Sequence, residues 1–83
     1  MTAQTARPGA WADTLTPRQA ATLDARLTEA YLAGRKVVNE LSRQIRHAAS
    51  KEARRLLWLR REGHNRVLAD LYDLHLDLMD RRS

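Results

Sequence analysis

From Ala20 onward the apolar and small residues fall at Ala20, Leu23, Leu27, Ala30, Gly34, Val37, Leu41, Ile45 and Ala48, three or four residues apart throughout. At 100° per residue these positions make one helical stripe about 100° wide, close to a coiled-coil seam. The stripe keeps its phase across Gly34, so the helix is predicted to continue there, although glycine costs about 1 kcal/mol in a helix interior. The start is marked by "LTPRQ". Thr16 is a good N-cap, Pro17 suits the first helical position, where its missing N–H costs nothing, and Gln19 is placed to close a capping box. Leu15, just before the cap, is placed to staple against Ala20.

The phase fails further on. Leu56 and Leu59 remain on the stripe, but Leu57 and Trp58 face away, and a helix continued past Gly63 would bring Asp70 into the middle of the apolar face. This predicts a break between Leu59 and Val67, at "EGHN", where Gly63 ends one helix and Asn65 caps the next. A shorter break at "AASKE", around Ser50, would make three helices instead of two.

The last predicted helix, Arg66 to Arg81, reads "RVLADLYDLHLDLMDR". Asp70, Asp73, Asp77 and Asp80 share one narrow stripe, and apolar residues cover well over half of the circumference. One neighbouring helix cannot cover so wide a face, which predicts a homodimer with Leu68, Leu71, Tyr72, His75, Leu78 and Met79 at its interface. Length points the same way, because a first helix from Pro17 to Arg61 would be roughly 65 Å long and a return helix of about sixteen residues would accompany a third of it. The predicted fold is an all-α helical hairpin, a long basic amphipathic helix plus a shorter apolar return helix, self-associating into a dimeric helical bundle. Residues 1–15 read as a flexible N-terminal tail from which Trp11 and Leu15 can pack back, and residues 16–83 as a single helical domain.

Composition supports this class. The 83 residues are 43% hydrophobic and 30% charged, with three Gly, two Pro and no Phe, a profile of one small helical domain. A single core is marginal at this size, and with no Cys for a disulfide, association is the remaining stabiliser. The N-terminal stretch lacks the apolar run of a signal peptide and no segment approaches a membrane span, so the expectation is a soluble, cytoplasmic protein without membrane contact.

Charge changes the picture because of where it sits. Residues 1–34 carry three basic and three acidic groups, residues 35–66 ten and three, and residues 67–83 two and four, giving net 0, +7 and −2. On one continuous helix, Arg35, Asn39, Arg43, Arg46, Ser50, Arg54 and Arg61 would align as an exposed ridge, with Lys51 and Arg55 adding to it. Such a ridge matches a phosphate backbone, and Trp58 beside Arg54 and Arg61 is placed to stack on an unpaired base. "LTPRQ" also resembles the opening of LuxR-type DNA-binding domains, although the residues after it lack the short turn between two short helices. The plainer reading is a solvated face, with Arg43 or Lys36 paired to Glu40 and Trp58 in the core. The expected function is nucleic-acid binding, DNA ahead of RNA, by a small accessory or regulatory protein of a bacterium, phage or plasmid. The alternative is a structural adaptor that dimerises and docks on an acidic protein.

Catalytic chemistry finds little support. "DLYD" and "DLMD" place carboxylates one turn apart, in the manner of magnesium-dependent all-α pyrophosphohydrolases, but those sites draw acidic residues from two helices, and here only one carries them. His47, His64 and His75 lack metal-ligand spacing. With no Cys, no triad context for Ser42, Ser50 or Ser83 and no glycine-rich phosphate loop, neither an enzyme nor a cofactor is expected.

Overall fold

The computed structural model describes residues 7–82. Two antiparallel helices, α1 (Pro17–Arg46) and α2 (Lys51–Met79), of 30 and 29 residues, pack side by side after a 3-10 helix at Ala10–Thr14. The start of α1 is as expected: Thr16 Oγ1 accepts from the Gln19 N–H at 3.1 Å, and Gln19 Oε1 accepts from the Thr16 N–H at 2.9 Å.

The chain turns at one place, and it is not Gly63. The break lies at His47–Ser50, and α2 runs unbroken through Gly63 and Asn65. The hairpin therefore has two arms of nearly equal length, not a long first arm with a short return. Capping explains the choice. The His47 and Ala48 N–H groups close the end of α1 on the carbonyls of Gln44 and Ile45. Ser50 is extended, and its Oγ accepts from the Ala53 N–H at 3.1 Å, a cap worth about 1 kcal/mol.

With the turn there, α2 takes a new phase. Ala53, Leu57, Arg61, His64, Leu68, Leu71, His75 and Leu78 fall three or four apart, and all are buried or half-buried. Asp70 is exposed, so the conflict that called for a break at Gly63 disappears. On α1 the matching seam is Ala20, Leu27, Tyr31, Gly34, Val38, Leu41 and Ile45. Ala30 and Val37, expected on it, lie one residue off and are exposed. Gly34 lets the helices approach: a Cβ there would stand 2.6 Å from Leu68 Cδ2. Around Gly63, by contrast, an added Cβ would meet nothing within 4 Å. Gly63→Ala should therefore stabilise the hairpin by about 1 kcal/mol, raising Tm by roughly 4–8 °C in thermal circular dichroism. A fall in Tm would mean that Gly63 is not helical.

The N-terminal segment closes the open end of the hairpin. Of the residues read as a tail, 1–6 lie outside the described residues, while Ala12 is fully buried and clusters with Ala20, Leu27 and Leu78, joined by Leu15, Leu23 and Leu71. Arg7 pairs with Asp13 at 2.5 Å and with Asp80 at 3.1 Å. Trp11 Nε1 donates to Asp77 at 2.9 Å, the Arg82 N–H donates to Asp13 at 2.6 Å, and Arg81 reaches the Leu15 carbonyl at 3.0 Å.

The particle measures 57 × 32 × 13 Å. Its thickness is about one helix diameter, so this is a single layer with two open faces. Seven described residues are buried, two of them alanines besides the five Leu and Val side chains, and no large side chain is completely enclosed. Among the described residues no helix is long and apolar enough to cross a membrane.

Candidate nucleic-acid interface

Antiparallel pairing brings Gly34 to Leu68 and Ser42 to Arg61. Residues 35–66, with their net +7, therefore make up the loop-side half of the hairpin. The single ridge expected on one long helix is divided by the turn: Arg35, Arg43 and Arg46 belong to α1, and Lys51, Arg54, Arg55, Trp58 and Arg61 to α2. Arg35, Arg46, Lys51, Arg54 and Arg55 are exposed and have no carboxylate partner among the described residues. Lys36, Arg60 and Arg66 share that condition, and although they belong to the same block of charge they were not among the residues assigned to the surface.

Two of the expected contacts are committed elsewhere. Arg43 is exposed but grips Glu40, through Nη2 on Oε1 and through Nε on Oε2 at 3.0 Å. Arg61 leaves the surface: it is half-buried on the inter-helix seam, where its Nη1 donates to Ser42 Oγ at 3.2 Å and its buried Nε has no acceptor among the described residues. Trp58 is 46% exposed, so its ring is neither fully free nor core.

One broad face can be traced from observed neighbours. A shallow groove is lined by Tyr31 and Arg35 of α1 and by Asn65, Leu68, Ala69 and Tyr72 of α2. Beside it, Leu27, Thr28, Tyr31, Leu32, Leu71, Tyr72 and His75 line an apolar depression of about 230 Å³. Helical spacing puts Arg54 and Trp58 on the Asn65–Tyr72 flank of α2. Towards the loop this face therefore carries Arg35, Arg54 and Trp58.

Electrostatics at the turn are uneven. Arg43 and Arg46 complement the negative end of α1, whereas α2 begins with Lys51, Arg54 and Arg55 against its positive end, with Glu52 the one acidic group in its first turn. The Arg43 hydrogen bond, helped by Gln44, lowers the Glu40 carboxyl from 4.5 to about 2. A depressed carboxyl stabilises the fold above its unfolded pKa, and that contribution is lost as pH falls through the folded value. NMR titration should find the Glu40 midpoint near 2, returning towards 4.5 in Arg43→Gln.

The residues expected at a dimer interface are not on one face. Leu68 and Leu78 are buried within the hairpin, Leu71 and His75 are half-buried, and Tyr72 and Met79 are 51% and 72% exposed. His75 Nδ1 lies 2.7 Å from Asp24 Oδ1 across the seam. The aspartate stripe is split as well: Asp77 and Asp80 hold the N-terminal segment, while Asp70 and Asp73 face solvent. Among the described residues no three His, Asp or Glu side chains converge as a metal site would require. Compared with known proteins, the chain matches no family model, no curated protein and no solved structure.

Proposed function

We propose that the protein binds nucleic acid through the loop-side half of the hairpin, as a small, self-associating, cytoplasmic accessory factor. The observation that supports this is the concentration, in one half of the molecule, of eight exposed Arg and Lys side chains without carboxylate partners among the described residues. Such a cluster repels itself, and three of its members stand against the dipole of α2, so an approaching polyanion relieves an existing strain. Contact is with phosphates, which makes affinity largely independent of sequence and steeply dependent on salt. Trp58 adds a stacking surface for an unpaired base beside Arg54.

Fluorescence anisotropy with unrelated duplex and single-stranded oligonucleotides tests this reading. Similar affinities across sequences are expected, with log affinity falling against log salt by about 0.9 per phosphate contact on duplex DNA. Trp58→Ala should weaken single-strand binding and leave duplex binding nearly unchanged. No binding at about 50 mM salt, where counterion release favours it most, would refute the proposal. An adaptor docking on an acidic protein through the same surface would then be the better account.

A further inference from the structure

We infer that one particular broad face of the hairpin, the one opposite the Tyr31–Tyr72 groove, is covered by a second copy of the chain lying antiparallel to the first. The two faces can be told apart from the seam. Thr28, Leu32, Ala69 and Tyr72 each follow a seam residue by one position, and all line the groove or the adjoining depression. One step backward from the seam turns the side chain by the same 100° in the other direction, onto the opposite face. The apolar and small residues there are Leu23, Ala30 and Val37 on α1, spaced by seven, and Leu56, Val67 and Leu74 on α2, with Gly63 seven after Leu56; Arg26, Glu40, Arg60 and Asp70 share this face by the same rule and stand between them.

The apolar positions of this second stripe recur mostly every seven residues, and Val37, Leu56, Val67 and Leu74 are 39%, 68%, 56% and 38% exposed. Heptad spacing on both arms is the pattern that another pair of helices fits, and Ala30 and Ala33 leave room for close approach. The molecule also needs such a layer. At 13 Å it is one helix thick, and a small helical domain normally builds its core between two layers. A face within a 57 × 32 Å outline offers more than the roughly 800 Å² per partner of a standard interface.

Charge selects both the occupant and its direction. The loop-side half carries +7, while residues 67–83 carry −2 and residues 1–34 none. Parallel stacking would lay one +7 half on another. Antiparallel stacking lays each on the mildly acidic half of its partner and sends the two basic loops to opposite ends. The groove face with Arg35, Arg54 and Trp58 stays open, and of the eight cations assigned to nucleic-acid binding Arg60 is the one that this rule puts on the covered face.

Sedimentation equilibrium on the full chain should give twice the 9.5 kDa protomer mass. Val67→Glu should give a helical monomer, whereas Tyr72→Gln on the opposite face should remain dimeric. A monomeric wild type at ~100 μM, or dissociation by Tyr72→Gln but not by Val67→Glu, overturns the assignment. Orientation is read separately, and without dependence on how Val67→Glu folds. The chain has no cysteine, so Ala49→Cys gives one spin label per loop. Electron–electron dipolar spectroscopy should find the labels about 45 Å or more apart, a helix length, and a separation under about 25 Å would overturn the antiparallel arrangement.

Discussion

Replacing Leu78 with aspartate is expected to abolish the folded hairpin. Leu78 is 7% exposed and lies in the cluster of Ala12, Ala20 and Leu27 that joins both helices to the N-terminal segment. Removing a buried leucine costs about 2–5 kcal/mol in packing, and an unpaired carboxylate in its place adds several more. A chain of this size has roughly 4–12 kcal/mol in total, and with so few buried side chains this hairpin belongs near the lower end. Circular dichroism should lose most of its helical signal at 25 °C. Leu78→Ala should keep the signal but melt earlier. A Leu78→Asp protein with native helicity and Tm would mean that the N-terminal cluster is not a core.

The second large effect is on binding. Changing Arg46, Lys51, Arg54 and Arg55 together to Gln removes four exposed cations from around the turn. If each meets one phosphate, the salt slope should become shallower by about 3.6, and affinity near 0.1 M salt should drop on the order of a thousandfold. The fold should not suffer. None of the four makes an ion pair among the described residues, and three of them oppose the helix dipole, so Tm should hold or rise. Unchanged affinity for every oligonucleotide would move the contact surface elsewhere. A matching fall in Tm would show that these side chains are structural.

How much of this was legible in the chain depended on how local each signal was. The start of α1 was, because Thr16, Pro17 and Gln19 act on one another within a single turn. The turn at Ser50 was mistaken for a secondary one. Its serine cap is a weak signal beside a glycine, and the seam of α2 passes through Arg61, His64 and His75, whose polarity hides its period. Those three are accommodated by partners from the other arm or by partial exposure: Ser42 meets Arg61 and Asp24 meets His75. Such pairings between residues 19 and 51 positions apart have no local trace. The seam of α1 was read one residue out at Ala30 and Val37, because small and apolar residues occupy both flanks. The basic block was plain as composition. Its division by the turn, and the withdrawal of Arg61 into the seam, followed only once the turn was placed.

The clasp at the open end has a consequence for the connectivity of the chain. Arg7 meets Asp80, and the Arg82 N–H meets Asp13, so the two described ends of the polypeptide lie at one pole while the loop lies at the other. The order of the arms along the backbone is thus separable from their packing. A circularly permuted protein, cut between Ala48 and Ala49 and joined across the clasp by a short glycine-serine linker, would present new ends within the basic half and retain both helices whole. Labels placed at Arg7 or Arg82, conversely, stand a helix length of about 45 Å from the turn, clear of anything gripped there.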